Sequence, residues 1–252
     1  MRARAGHLVL SALGWLGFNA VMVWAVAFLA GVVVPRTIDG PHRVGTATAV
    51  MVDLGLLLLF ALQHSVLARR SAKAWLRRWV PAALERTAYV LATDVCLALL
   101  FLLWQPFGGS VWHVTGPAAW LLWGLCAAGW LLAVVATSAI DQLGLTGLRQ
   151  AGWGRRAAEP ASELQTGGLY AVVRHPLMTG LVLAFWATPT MSVSHLVFAA
   201  AATAYVFVGM AFEERDLRRT FGAAYDDYAA RVPALVPGLV LRRRPVRVSQ
   251  EA

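Results

Sequence analysis

Two short polar motifs lie at the two ends of an apolar stretch in the C-terminal part of the chain. One is Arg174-His175-Pro176 and the other is the carboxylate pair Glu213-Glu214. Because proline is favoured at the first position of a helix, the arginine and histidine are expected beside the free amides of a helix N-terminus, where anions bind. A hairpin between the motifs would bring the carboxylates, which accept hydrogen bonds from hydroxyl groups, to the same end. The pattern predicts a site for a charged cofactor.

Each motif also has a purely structural interpretation. Arg174 and His175 could serve only to anchor a helix end at a membrane surface. The carboxylates oppose the dipole at a helix C-terminus and could be compensated by neighbouring cations. Such cations lie at helical spacing from the pair, at Arg215, Arg218 and Arg219. The proximity that a hairpin would impose favours a shared functional site.

The composition of the chain indicates a membrane protein. Of its 252 residues, 59% are hydrophobic and only 14% are charged, which is too apolar for a soluble protein. Six apolar segments are helix candidates, since only helices satisfy their own backbone hydrogen bonds in lipid: 8–34, 46–67, 87–104, 117–139, 177–189 and 193–212. The fifth segment is short for a crossing, so five spans are an alternative to six.

The expected fold class is therefore all-α: a polytopic integral membrane helical bundle of five to six transmembrane helices with a C-terminal cytoplasmic interfacial helix. Residues 1–252 are expected to form a single membrane domain, with a four-helix part at 1–140, a cofactor-binding core at 165–238 and a flexible basic tail at 239–252. The interfacial helix is expected after Phe212, because apolar and aromatic residues recur there at helical spacing. The oligomeric state is left open, a homo-oligomer included.

The basic residues predict the orientation of the bundle. Of the 22 Lys and Arg residues, only Arg36 and Arg43 fall on one side of a six-span arrangement. The positive-inside rule therefore places both termini and both polar motifs on the cytoplasmic side. The net charge is +9. Since the basic residues coincide with membrane boundaries, they indicate contact with the lipid bilayer rather than with nucleic acid.

Polar residues inside the apolar segments are further candidates, because lipid makes them costly. Gln63 and His64 lie near the cytoplasmic end of the second segment, at the expected level of Arg174, so we predict that they line the pocket. Neither HExxH nor a pair of histidines at metal spacing occurs, so no metal is expected. No GxGxxG follows a strand, hence any nucleotide-like cofactor must bind the membrane bundle itself.

Three C-terminal motifs occur together: Gly168-x-Tyr170-x3-Arg174-His175-Pro176, Glu213-Glu214-x2-Leu217-x3-Phe221-Gly222-x2-Tyr225-x2-Tyr228 and Val232-Pro233-x3-Pro237. In combination they resemble the core of the isoprenylcysteine carboxyl methyltransferase superfamily. Three upstream motifs are Phe60-Ala61-Leu62-Gln63-His64-Ser65, Glu85-Arg86-x2-Tyr89-Val90-Leu91 and Gly147-Leu148-Arg149-Gln150. These are similar to the bacterial methanethiol S-methyltransferase branch, with which NnrU-like membrane proteins share some features.

The resemblance implies methylation that depends on S-adenosylmethionine, in a bacterial cytoplasmic membrane, with a small volatile thiol, methanethiol, converted to dimethyl sulfide. The implied cofactor contacts are Gly168, Leu169, Tyr170, Arg174, His175, Pro176, Glu213 and Glu214. Of these, the backbone from Tyr170 to His175 and the His175 ring are candidates for the cofactor carboxylate, and the two glutamates for its ribose hydroxyls. The candidates for thiol contacts are Gln63, His64 and Arg149, and those for the base that deprotonates the thiol are His64, Asp141 and His175.

The chain departs from the family pattern in two places. Leu177-Met178 follows the Arg-His-Pro motif where prenylcysteine enzymes tend to have a tyrosine, which argues against a prenyl substrate. Residues 139–146 stand where a methanethiol enzyme would have an Asn-His-Phe-Asp-like stretch, so another acceptor is an alternative. A second alternative is a non-enzymatic NnrU-like protein of nitrogen-oxide metabolism, in which His64 and His175 are ligands or anchors. A transporter is disfavoured because no inverted repeat is evident.

Overall fold

The computed structural model describes residues 2–153 and 164–239, and helices dominate these parts of the chain. The α-helices are α1 (Arg2–Ala30), α2 (Thr46–Ala68), α3 (Arg70–Leu76), α4 (Glu85–Leu103), α5 (Pro117–Ile140), α6 (Gln142–Leu145), α7 (Leu148–Ala151), α8 (Pro176–Trp186), α9 (Val193–Phe221) and α10 (Ala223–Arg231). Short 3-10 helices occupy Ala82–Leu84 and Gly168–Ala171, and two strands are β1 (Ser110–His113) and β2 (Thr190–Ser192). The expected basic tail lies, apart from Leu239, outside the described residues.

Five helices in the described parts of the chain are long and apolar enough to cross a membrane: Ala5–Ala30, Thr46–Ala68, Ala82–Leu103, Pro117–Ala139 and Val193–Phe221. The fifth predicted segment forms only the 11-residue helix α8. Such a helix rises about 16 Å, roughly half of the ~30 Å hydrocarbon core. The expected helical membrane bundle is therefore confirmed, with five long helices and one short apolar helix.

A two-stranded ribbon, which the sequence did not predict, closes one end of the bundle. Strand β1 pairs with β2 in antiparallel register, with Trp112 opposite Met191 and His113 opposite Thr190. We call this the ribbon end. Since α8 runs towards β2 and α9 runs away from it, the start of α8 and the last turns of α9 meet at the opposite end, the motif end.

Backbone contact between α5 and α8 fixes the short helix in place. A Cβ atom on Gly180 would lie 2.6 Å from the Gly129 carbonyl oxygen and 2.7 Å from the Ala133 amide nitrogen. A Cβ atom on Gly129 would lie 2.7 Å from the Ala184 amide nitrogen. Each helix thus carries a Gly-x3-Ala pair at the crossing, the small-residue packing that lets membrane helices approach closely.

Aromatic residues form the core near the ribbon end. Trp104 is buried and lies edge-on to Phe28 and Phe198, with ring centroids 6.1 and 5.8 Å away. Its indole Nε1 donates a hydrogen bond to Ser194 Oγ at 2.9 Å, which satisfies the polar atom of an otherwise apolar side chain. This core holds the start of α9 against α1 and α4 and so sets the position of the residues at its other end.

Candidate active site

The start of α8 shapes one wall of the site. His175 is the residue before the helix and Pro176 is its first residue, as the sequence predicted from the preference of proline for this position. Gly168 begins the preceding 3-10 turn with a φ of +61°, a conformation that favours glycine. Leu169 and Tyr170 follow it and are half-buried. The Gly168 to Pro176 segment therefore reaches the helix as a defined turn.

Arg174 is held by four hydrogen bonds within the protein. Its Nε and Nη2 donate to Oε1 of Glu214 at 3.2 and 2.5 Å. Its Nη1 donates to the carbonyl oxygens of Ala229 and Val232 at 3.1 and 2.5 Å. A guanidinium has five N–H donors, so most of the hydrogen-bonding capacity of Arg174 is used to tie α8, α9 and the segment after α10 together.

The two glutamates of the motif have different environments. The Glu214 side chain is only 10% exposed and accepts a further hydrogen bond from Arg218 Nη2 at 3.3 Å. The Glu213 side chain is 55% exposed, and its Oε2 lies 3.5 Å from Nδ1 of His175. Glu214 is therefore part of a buried ion-pair network, whereas Glu213 presents its carboxylate at the surface of the site.

His175 lies between the two carboxylates. Its Nε2 is 3.4 Å from Glu214 Oε1, while its Nδ1 faces Glu213. Burial by itself lowers the pKa of the imidazole, but the hydrogen bonds and negative charges of Glu213 and Glu214 outweigh burial and raise the pKa above its usual value. Because both ring nitrogens face acceptors, the doubly protonated cation is the favoured form.

The helix α10 closes the motif end. Helix α9 continues beyond the predicted boundary at Phe212 to Phe221 and breaks at Gly222, which has a φ of +55°. This break turns α10 back, so that Tyr225 and Tyr228 are buried. Tyr228 donates from its hydroxyl to the Tyr170 carbonyl oxygen at 2.6 Å.

The chain after α10 then pairs with the arginine-histidine motif. The amides of Arg174 and His175 donate to the carbonyl oxygens of Pro233 and Ala234 at 2.8 and 3.1 Å. Thr179 Oγ1, one turn into α8, donates to the Leu235 carbonyl oxygen at 2.9 Å. The segment from Pro233 to Leu235 thus covers the start of α8, and we call it the strap.

His64 lies in a second cluster, formed by α2, α4 and α9. Its Nε2 and Nδ1 are 2.9 and 3.0 Å from the Tyr89 hydroxyl, and Nδ1 is 3.4 Å from Thr93 Oγ1. Gln63 Nε2 donates to the same threonine oxygen at 3.4 Å. Ser65 Oγ and the Tyr205 hydroxyl share a hydrogen bond at 3.0 Å. We call these residues the tyrosine-histidine cluster.

Asp141 and Arg149 form a third group. Arg149 Nε donates to Oδ1 and Oδ2 of Asp141 at 2.8 and 2.6 Å. Burial raises the pKa of the Asp141 carboxyl, but the hydrogen bonds from Arg149 and from the Gly144 amide outweigh it and lower the pKa. Asp141 also adopts a φ of +113°, in the left-handed region that non-glycine residues seldom occupy. The pair stabilises the bend between α5 and α7.

The predicted site residues therefore fall into three groups. The structure brings the Arg174, His175, Glu213 and Glu214 side chains together, but it places Gln63 and His64 in a separate cluster and Asp141 with Arg149 in another. The predicted catalytic and binding roles of these residues stay predictions. Sequence reasoning did not single out Tyr205, although a lone hydroxyl-bearing ring in the middle of the last apolar segment was a signal.

No group of three or more His, Cys, Asp or Glu side chains within residues 2–153 and 164–239 is placed to hold a metal ion. The side chains that the structure brings together are charged groups and hydrogen-bonding groups. The motif end offers an exposed carboxylate beside an imidazole whose pKa is raised, and the tyrosine-histidine cluster offers an imidazole linked to hydroxyl groups.

Comparison with known proteins identifies the family. Residues 120–224 match the family model of the phospholipid methyltransferases, PEMT. Methanethiol S-methyltransferase 2 of Bradyrhizobium diazoefficiens is 46% identical over 97% of this chain and 95% of its own. Methanethiol S-methyltransferase of Mycobacterium tuberculosis is 42% identical over 91% of this chain and 95% of its own.

A more distant relative is Nurim of Sus scrofa, which is 32% identical over 66% of this chain and 67% of its own. No solved structure matches the chain. The methanethiol enzymes share both nearly full length and high identity with the chain, which confirms the resemblance seen in the motifs. The chain therefore belongs to the methanethiol S-methyltransferase family.

Proposed function

We propose that the protein transfers a methyl group from S-adenosylmethionine to methanethiol and so forms dimethyl sulfide. The observation that carries this proposal is the 46% identity over 97% of the chain to a protein named Methanethiol S-methyltransferase 2. Membership of a methyltransferase family also favours an enzyme over the non-enzymatic NnrU-like alternative. Other small thiols are the main alternative acceptors.

The residues at the motif end fit S-adenosylmethionine, which carries a carboxylate and a ribose diol. Glu213 is exposed at its carboxylate and can accept hydrogen bonds from vicinal hydroxyls. Both ring nitrogens of His175 face Glu213 and Glu214 and its side chain is only 4% exposed, so the ring orients the Glu213 carboxylate. The first amides of α8 would offer N–H donors to the cofactor carboxylate. The turn from Gly168 to Tyr170 would form the adjoining wall.

Arg174 and Glu214 have a supporting role in this proposal. Their ion pair and the carbonyl contacts of Arg174 leave little capacity for a ligand. We therefore assign ligand contact to Glu213, and positioning to Arg174, Glu214 and His175. Pro176 fixes the direction of the helix that carries the donor amides.

S-adenosylmethionine supplies an electrophilic methyl group on a sulfonium sulfur. The protein must hold the thiol in line with that group, exclude water and accept the thiol proton, since a thiolate is the nucleophile. A bundle with five apolar helices offers an apolar surrounding that a volatile thiol can enter from lipid. We propose that the site faces the cytoplasm of a bacterial cell, because the basic loops lie at the motif end.

The test is calorimetric titration of S-adenosylmethionine into the purified protein in detergent. Glu213→Gln should weaken binding at least tenfold, because the neutral amide is a poorer acceptor for the ribose diol. Asp216→Asn is the matched control, since Asp216 is exposed on the same helix and pairs only with Arg219 among the described residues. Absence of binding by folded wild-type protein would contradict the proposal, as would equal affinity in wild type and Glu213→Gln.

A further inference from the structure

The tyrosine-histidine cluster concentrates polar and aromatic side chains between three helices of the bundle. Tyr89 from α4 and His64 from α2 share a hydrogen bond, and the Phe60 ring stacks on the imidazole at 5.4 Å between centroids. Tyr205 from α9 lies edge-on to Phe60 at 5.8 Å. These aromatic and polar side chains are only half-buried. Polar groups in a membrane bundle are costly, so such a concentration is a default candidate for function.

Three residues in a row along α9 connect this cluster with the motif end, and we call them the row. Tyr205, Gly209 and Glu213 follow one another at intervals of four residues, so they form one ridge along the helix. The ridge from Tyr205 to Glu213 is about 12 Å long. A Cβ atom on Gly209 would meet no heavy atom within 4 Å, which shows that the middle of the ridge is uncovered. Glu213 faces His175 at one end of the row, and Tyr205 reaches Ser65 at the other.

We propose that the thiol acceptor binds at the tyrosine-histidine cluster, and that the open surface over Gly209 is the floor of the groove that joins it to the cofactor site. This inference rests on the proposed function and adds the location of the second substrate. Tyr89 and His64 act as the proton acceptor. Gly209 leaves space for the thiol between Glu213 and the pair formed by Tyr89 and His64.

The hydrogen-bond geometry suits a proton relay. The Tyr89 hydroxyl lies within 3.0 Å of both imidazole nitrogens, so it can donate its one proton to whichever nitrogen is unprotonated. A thiol beside Tyr89 can give its proton to the hydroxyl oxygen while the hydroxyl proton passes to His64.

The atoms and electrons of the step balance without another reactant. The thiol sulfur forms a bond to the methyl carbon, the bond between that carbon and the sulfonium sulfur breaks, and its electron pair returns to the donor sulfur. The thiol proton goes to His64 through Tyr89 and then to water. The products are the methyl thioether, the demethylated donor and one proton.

The test separates cofactor binding from acceptor chemistry in the full-length protein. We expect Tyr89→Phe and His64→Gln to bind S-adenosylmethionine within about twofold of wild type but to lower kcat with methanethiol about 100-fold or more, the usual effect of removing a proton acceptor. In both variants kcat should rise with pH more steeply than in wild type, because methanethiol that is already deprotonated in solution no longer needs the lost proton acceptor. A structural role would not produce this change in the pH profile.

Gly209→Leu tests the groove, with Gly55→Leu as the matched control. Both glycines lie within long helices and face open space, but Gly55 is on α2 away from the row. Gly209→Leu should lose S-adenosylmethionine affinity or raise KM for methanethiol at least tenfold, whereas Gly55→Leu should change neither. Unchanged kinetics and affinity in Gly209→Leu, or unchanged kcat in both cluster variants, would overturn the inference. Failure of the proposed function can be distinguished from failure of this inference, because in that case wild type itself would neither bind the donor nor methylate the thiol.

Discussion

The guanidinium of Arg174 donates two hydrogen bonds to the same carboxylate oxygen of Glu214. The Nε and Nη2 atoms lie 3.2 and 2.5 Å from Oε1, and the two side chains are only 12% and 10% exposed. Removal of one partner leaves the other charge buried, which typically costs about 3–5 kcal/mol. We therefore expect Arg174→Gln and Glu214→Gln each to lower the thermal unfolding temperature in detergent by several degrees.

An exposed ion pair on the same helix provides the control for that experiment. Arg219 and Asp216 lie 3.3 Å apart with side chains 72% and 75% exposed. Surface pairs of this kind contribute little, so Arg219→Gln should leave the unfolding temperature nearly unchanged. Equal stability of the Arg174 and Arg219 variants would show that the buried network does not hold the motif end.

The charge of His175 should make stability depend on pH. Its pKa is raised in the folded protein by Glu213 and Glu214. Since the folded state holds the proton more tightly, the stabilisation is fully present below the unfolded value of about 6.5 and is lost as pH rises through the folded value. The unfolding temperature of wild type should therefore fall over this range relative to His175→Gln. A constant difference between the two proteins would contradict a charged His175.

The crossing of α5 and α8 should not tolerate even one methyl group. In Gly180→Ala the new Cβ would lie 2.6 Å from the Gly129 carbonyl oxygen, and backbone atoms of a packed helix cannot move aside cheaply. We expect a loss of about 1–3 kcal/mol, as for other overpacked sites. Gly124→Ala, in the same helix α5 but with no heavy atom within 4 Å of its Cβ, should be neutral or slightly stabilising. The check is unfolding by heat or denaturant in detergent.

Ser192 should stabilise the start of α9 at the ribbon end. Its Oγ accepts a hydrogen bond from the His195 amide at 3.0 Å as the residue before the helix, and it also donates to Asp39. Loss of such a cap costs about 1 kcal/mol, so Ser192→Ala should lower stability by this amount or more. Ser110→Ala, at an exposed position of β1, is the control, and equal losses in the two variants would argue against a capping role.

The sequence predicted the position of the motifs because local signals determine it. Pro176 begins a helix and the two apolar segments require a hairpin, so Arg174 and Glu214 had to come to the same end of the bundle. The same reasoning anticipated the helix that carries Tyr225 and Tyr228. That helix was expected to begin after Phe212, but α10 begins only at Ala223. The polar residues after Phe212 mark the membrane boundary, whereas α9 itself continues to Phe221 and ends at Gly222.

The difference between Glu213 and Glu214 could not be predicted from adjacent positions in a sequence. It depends on α10 and on the strap from Pro233 to Leu235, which bury one side of α9 and leave the other open. The tyrosine-histidine cluster is likewise a product of packing between α2, α4 and α9. The sequence did not predict the ribbon, because Ser110–His113 is short and pairs with a segment far away in the sequence, so no local pattern indicates a strand there.

The most direct test of this account is methyl transfer by the purified protein from S-adenosylmethionine with a deuterated methyl group to methanethiol, followed by mass spectrometry of the headspace. With the donor at a concentration near its Kd for wild type, wild type should form dimethyl sulfide with one labelled methyl group, Glu213→Gln should form several-fold less, and Asp216→Asn should match wild type. Folded wild-type protein that yields no labelled dimethyl sulfide, or a Glu213→Gln variant as active as wild type, would contradict the account.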